Sequence, residues 1–264
     1  MEEKEQQIKS KSRVSERGEV FTAKREVNAM LDLVKRETMR TDSRFLEPAC
    51  GNGNFLAEIL RRKLKAAERQ SVPPRKKRPI AREFERKSVL SVSSVYGVDI
   101  LLDNIESCRK RLFDIWKNEY KRVCLVQPDE NCEKTVKFIL KRNIVCGNAL
   151  SMKKVDSNGN DTEQPIVFSE WTFISESKMQ RKDFVFDKLL SGEYDAKKIE
   201  ERKSQNSSFV QGELFPNLSA QQELFPLSSF QNENKEEESE KTDDEGEFVF
   251  SCVSDYRRLW EYDK

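Results

Sequence analysis

The sequence predicts an α/β fold, a parallel sheet covered by helices, and three observations carry that expectation. Short apolar or β-branched runs alternate with amphipathic helical patterns between residues 24 and 150. The first of these runs breaks on two glycines, Gly51 and Gly53, before a helix restarts. The second ends on an acid, Asp99, and the third turns at Asn148.

In chain order, residues 1–16 are charged and aperiodic and read as a loose arm, with a domain expected over 17–190. AKREVNAMLDLVKRETMR places Val27, Met30, Leu31 and Val34 at helical spacing, one stripe to be buried. RFLEP (44–48) is too short for a helix and reads as a buried strand; NFLAEILRRKL then sets Phe55, Leu56, Ile59 and Leu60 on one helical face. Residues 61–87 hold twelve Lys/Arg against three Glu, a local charge of +9, with three prolines, and read as a basic insertion.

SVLSVSSVYGVDI reads as a second strand and the following residues 101–123 as a long helix with Leu101, Ile105, Cys108, Leu112 and Trp116 inward. ENCEKTVKFILKR is another helix, leading into the strand and turn NIVCGNAL. PIVFSEWTFI (165–174) reads as a fourth strand, and DFVFDKLL as a strand end or short helix. Residues 191–247 turn polar and end in a run of nine acids against two lysines, so a disordered acidic region is expected there. Residues 248–264 carry enough aromatics to dock back on the domain or on a partner.

Composition excludes several chemistries. With no histidine there is no Ser-His or Cys-His triad and no imidazole ligand. Six cysteines without a C-x-x-C pair signal neither a zinc site nor a disulfide framework. No run approaches the roughly 20 apolar residues of a membrane span and MEEKEQQIKSKSR lacks a signal-peptide core, so a cytoplasmic location without membrane contact is expected.

The glycine stretch fits neither familiar phosphate cradle. A dinucleotide fingerprint wants a third glycine where Leu56 stands, and no Gly-Lys-Ser/Thr follows for a P-loop. Glu47 is instead placed to hold a ligand ammonium, with Gly51 and Gly53 making room for a ligand without phosphate. Asp99 is placed to accept ribose hydroxyls, and Asn148 to pair with an adenine edge. An amine, a ribose and an adenine in chain order describe S-adenosylmethionine.

GEVFTAKREVNAML (18–31), FLEPACGNGNFL (45–56), VYGVDI (95–100) and CGNAL (146–150) resemble, in that order, the cofactor-binding motifs of adenine-specific DNA methyltransferases of restriction-modification systems. The resemblance covers roughly residues 17–150 and implies a Rossmann-like, class I methyltransferase fold, incomplete here. It assigns cofactor contacts to Phe21, Thr22, Glu47, Pro48, Gly51, Gly53, Asp99, Ile100 and Asn148. Two positions depart from the family pattern: Ala23 stands where a proline is usual, and Asn148 where an aspartate is.

The family's catalytic loop, Asp or Asn, Pro-Pro, then Tyr or Phe, is missing. The only adjacent prolines, Pro73 and Pro74, lie in the basic insertion between Val72 and Arg75. Glu170 and Trp171, an acid beside an aromatic, are a poor substitute, and catalytic residues stay unassigned. The resemblance therefore implies a methyltransferase component that needs a second methylase or restriction subunit. Two alternatives stay open: a non-catalytic cofactor-binding module that regulates or tethers a restriction system, and a methyltransferase of another substrate. Arg75, Lys76, Lys77 and Arg78 are candidate DNA contacts, though no Trp or Tyr is interleaved for stacking. QGELFP and QQELFP recur at a ten-residue step, and Gln211–Phe215 and Gln221–Phe225 resemble the peptides by which bacterial DNA enzymes hold the sliding clamp.

Overall fold

The computed structural model describes residues 10–17, 19–191 and 249–263. The chain divides into two units, Met1–Asp187 with Phe248–Lys264, and Lys188–Glu247. The acidic run and both QxELFP copies, expected to be a disordered region, lie outside the described residues.

Three short helices, α1 (Lys11–Arg17), α2 (Lys24–Leu33) and α3 (Lys35–Thr38), precede the first strand. Strands β1 (Phe45–Glu47), β2 (Val95–Asp99) and β3 (Ile144–Asn148) run parallel in that order, Phe45 opposite Val95 and Gly97 opposite Ile144. Beyond β3 the sheet continues antiparallel through β4 (Lys153–Val155) and β5 (Asp161–Pro165), which leaves β1 at its edge. A second, antiparallel sheet holds β6 (Val167–Phe173), β7 (Lys178–Val185) and β8 (Phe250–Asp255). The architecture is α/β, with a mixed sheet covered by helices.

Those helices are α4 (Asn54–Gln70), α5 (Ala81–Ser93), α6 (Leu102–Cys124) and α7 (Glu130–Asn143). Their apolar residues fall at steps of three and four, so Leu56, Leu60 and Leu64 of α4 meet Ile105, Leu112 and Trp116 of α6 in one core. Asp129 starts α7 by accepting from the amides of Asn131 and Cys132. β2 is covered on both sides, as its period-two side chains divide between two layers: Val95 joins the helical core, while Tyr96 and Val98 pack on Ile166, Phe168 and Phe186. Helix α8 (Phe186–Ser191) follows β7.

The C-terminal residues are held by buried charge. Glu85 accepts from Tyr120 Oη at 2.6 Å, Tyr256 Oη at 2.5 Å and Arg257 Nε at 2.6 Å, and its side chain is only 3% exposed. Arg181 grips Asp183 with both Nε and Nη2, at 2.8 and 2.6 Å, and donates Nη1 to the Tyr262 carbonyl of the closing 3-10 turn, Leu259–Tyr262. Arg142 completes that cluster by pairing with Asp183.

Four expectations change. Residues 11–17 form α1 instead of part of a loose arm, with Arg13 paired to Asp103. SVLSVS is helical: Phe84, Val89 and Val92 share a buried helical face, and Ser88, Ser91 and Ser93 return their hydroxyls to carbonyls three or four residues back. The basic insertion shrinks accordingly to a loop at 71–80, because 61–70 extend α4 and 81–87 open α5. The fourth strand, as β6, belongs to the antiparallel sheet, so it does not widen the parallel one. Among the described residues no helix is long and apolar enough to cross a membrane.

Candidate cofactor site

The carboxyl ends of β1 and β2 meet at the glycine turn between β1 and α4, and the end of β3 follows next in the parallel order. The turn closes by Cys50 N donating to Val98 O at 2.9 Å and Gly53 N to Cys50 O at 2.8 Å. Gly51 and Gly53 sit at φ +52° and +86°, the left-handed region in which a side chain is strained. Their missing side chains do not open space for a ligand, as the sequence suggested. A Cβ on Gly51 would lie 3.0 Å from the Phe21 ring, and one on Gly53 would lie 2.6 Å from Cys108 Sγ. The glycines let the turn close on its own neighbours.

Asp99 braces this turn from the end of β2. Its Oδ2 accepts from Gly51 N at 2.9 Å, and its Oδ1 from Leu101 N at 2.8 Å and Asn104 Nδ2 at 3.3 Å. Asn104 also donates to Glu19 Oε1 at 2.6 Å, and Arg13 pairs with both Glu19 and Asp103. Through this chain the segment before α2 is drawn onto the site. Phe21 is buried against Gly51, and the Thr22 carbonyl accepts from Asn54 Nδ2 at 2.9 Å while Arg111 Nη1 holds Asn54 Oδ1 at 2.6 Å.

Glu47 stands beside the turn, half-buried, with Ala49 N 3.3 Å from its Oε1 and no ion-pair partner among the described residues. Burial pushes its carboxyl above the ordinary glutamate range, and the Ala49 amide only partly opposes this. Pro48 is exposed at the turn's entry. Asn148 is already engaged on both sides of its amide, donating to Asp161 Oδ1 at 3.0 Å and accepting from Leu150 N at 3.0 Å. One N–H and one lone pair of that amide stay free for a ligand. Ile100, Leu102 and Leu150, just past the strand ends, are 38, 56 and 94% exposed. This end of the sheet thus gathers an acid with no cation beside it among the described residues, a second acid held on turn amides, and exposed aliphatic side chains.

The other candidates lie elsewhere. Arg75, Lys76, Lys77 and Arg78 are exposed in the loop after α4. That helix is 17 residues long, so about 25 Å separates them from the glycine turn. Glu170 pairs with Arg44, before β1, and Trp171 is a core residue whose Nε1 donates to Asn143 Oδ1 at 3.0 Å. A cavity of about 330 Å³ lies at this opposite pole, lined by Arg44, Ser94, Tyr96, Trp171 and Phe173 among others. The six cysteines are free thiols, and no group of three or more potential metal ligands exists among the described residues.

Sequence reasoning missed Arg13, Glu19, Asn54, Asn104 and Cys108. Asn54 next to Gly53, and Asn104 five residues after Asp99, carried a signal of position; Arg13 and Glu19 carried none, because the partners that bind their pair to the site, Asp103 and Asn104, are 90 and 85 residues away. Compared with models of protein families, with curated proteins and with solved structures, the chain matches none.

Proposed function

We propose that this chain is the S-adenosylmethionine-binding half of an adenine-specific DNA methyltransferase of a restriction-modification system, built on a Rossmann-like, class I methyltransferase fold. The observation that carries the reading is the direct contact of Asp99 with the Gly51 amide at the ends of adjoining parallel strands, with Glu47, which has no ion-pair partner among the described residues, beside them. Glu47 would receive the methionine ammonium, Asp99 the ribose hydroxyls, and Ile100 and Leu150 the adenine faces, with Phe21 holding the turn's shape. The cofactor, when bound, supplies the sulfonium methyl for an exocyclic amine. The chain's own residues bind and orient it, and a partner chain supplies the Pro-Pro loop and the target reader.

Calorimetry with S-adenosylmethionine tests the cradle: binding to wild type and at least tenfold weaker binding to Asp99→Asn are expected. No heat with wild type sinks the reading. Transfer of labelled methyl to DNA only when the loop-bearing chain is added separates a catalytic half from the alternative of a tethering module. Label on RNA or protein instead would move the substrate class. The doubled QxELF motif fits delivery to DNA through the sliding clamp, and Phe215→Ala with Phe225→Ala should abolish clamp binding that either single change only weakens.

A further inference from the structure

The cavity at the pole opposite the glycine turn lies where the amino ends of β1 and β2, the carboxyl end of α5 and strand β6 meet. Among the described residues β6 pairs with β7 alone, and that pairing fixes which of its backbone groups face outward. Ile174 N donates to Lys178 O at 3.0 Å and Phe186 N to Ile166 O at 2.9 Å, so even-numbered residues of β6 bond across to β7 and odd-numbered ones turn away. Tyr96 of β2 agrees with that parity, since its Oη donates at 2.9 Å to the outward carbonyl of Ser169. The N–H and C=O of Trp171 and Phe173, two of the cavity's walls, turn to the same side and have no partner in the strand ladder among the described residues.

The other walls are rich in acceptors. Ser93, Ser94 and Tyr96 are 2, 3 and 8% exposed, and each commits its hydroxyl hydrogen inside the protein: Ser93 to Leu90 O at 3.0 Å, Ser94 to Ser91 O at 2.9 Å, Tyr96 to Ser169 O. For a ligand they keep lone pairs only. Donors come from the two outward N–H groups and from Arg44, which pairs with Glu170 through Nη2 and has further N–H groups. A cationic ligand is disfavoured, because Asp42 at the rim already pairs with Arg40, while Arg44 lines the cavity and the Arg86 guanidinium lies 4.9 Å from the Phe173 ring centroid. An added peptide strand is disfavoured by length: Tyr96 occupies the Ser169 carbonyl, which leaves two open positions where an ordinary strand has about five or six residues.

We infer that this cavity binds an amino-bearing nucleobase, adenine or cytosine, whose amino group and neighbouring ring nitrogen pair with the outward C=O and N–H of the Trp171–Phe173 edge. The second amino hydrogen goes to the acceptor-only hydroxyls, and the sugar-phosphate side lies at Arg44. Uracil and thymine pair less well, because their single free N–H meets the backbone carbonyl and leaves the hydroxyl lone pairs without a donor. A volume of about 330 Å³ is in the range of small-ligand sites, and Leu90 with the aromatic walls suits the faces of a flat ring. The site is apart from the strand ends proposed to hold S-adenosylmethionine and does not depend on that reading.

Calorimetry of the full chain with cytidine and uridine 5′-monophosphates tests the inference, read together with backbone amide shifts. The expected result is binding of the cytidine nucleotide at least tenfold tighter than that of the uridine one, with the amides of Trp171 and Phe173 shifted and those of Gly51 and Leu101 unmoved. Saturating S-adenosylmethionine should not compete. Arg44→Ala should weaken the monophosphate several-fold and leave cytidine itself unchanged, and Leu90→Trp, which fills the cavity, should abolish both. Tighter binding of a cytosine octanucleotide than of the mononucleotide would identify single-stranded nucleic acid as the source of the base; equal binding would identify the free nucleotide. No binding of either nucleotide, equal binding of the two, shifts at the glycine turn in place of Trp171 and Phe173, or binding that survives Leu90→Trp in a folded chain overturns the inference.

Discussion

Two polar networks hold the two ends of the described chain, and they differ in how far water reaches them. At the C-terminal end, Glu85 and Arg181–Asp183 are almost fully buried, with side chains at 3, 1 and 4% exposure. At the glycine-turn end, Arg13, Glu19 and Asp103 are 24, 9 and 55% exposed, and Asp99 spends its bonds on backbone amides of a turn. A buried network costs several kcal/mol when one member is removed, because its partners are stranded; a wet one costs little, because water replaces the partner. The first is built for permanence, and the second leaves polar groups that a ligand can share.

The largest blow to that contrast would come at Glu85. Glu85→Ala strands two tyrosine hydroxyls and Arg257, and should lower stability by about 3 kcal/mol in urea unfolding; a loss under about 1 kcal/mol would put both networks in one class. Next in size is Gly53→Ala, expected to cost about 2 kcal/mol or more from the positive φ and the contact with Cys108. Because Cys108→Ala removes the sulfur but not the strain, a double-mutant cycle should recover only part of that cost. Asp99→Asn sharpens the contrast from the wet side: about 1 kcal/mol in stability, against at least a tenfold loss in the proposed cofactor affinity.

The smallest effects belong to the exposed acids and bases. Arg13→Ala should change stability by about 0.5 kcal/mol or less, and less again at high salt. Glu47 has the opposite sign. Its carboxyl is raised by burial, so the folded state holds the proton to higher pH than the unfolded chain, and stability is lost as pH rises from about 4.3 through the raised value. Glu47→Gln should therefore raise the melting temperature at pH 7 by about 1–2 °C, with no gain at pH 4, while weakening cofactor binding at pH 7.

Legibility of the sequence followed the length scale of the interaction. Strands β1, β2 and β3 and helices α4, α6 and α7 were readable because their periodicity and punctuation are local, as were the acids and glycines at the strand ends. Residues 88–93 misled because valine favours strands and serine weakens helix interiors, and only tertiary burial of Val89 and Val92 with hydroxyl back-bonding decides for a helix. The exposure of Met30 and Val34, 54 and 45%, was unreadable for the converse reason: an apolar stripe says that a face can be buried, but not which of its residues the fold buries. Asp99 was identified as a ligand acceptor, whereas its role as brace for Gly51 depends on a contact 48 residues apart.

The pairing of β7 with β8 bears on the segment that carries the clamp-like repeat. Asp183 stands opposite Phe250, and Val249 N donates to Asp183 O at 2.8 Å, so the ladder brings the start of β8 beside the end of β7. In sequence, residues 192–248 fall between β7 with its following helix α8 and β8, two strands that pair directly with each other. Replacing 192–248 by a short glycine-serine link should leave the β7–β8 ladder and the glycine-turn end intact, and transplanting the segment between two strands of an unrelated hairpin should carry the proposed clamp binding with it.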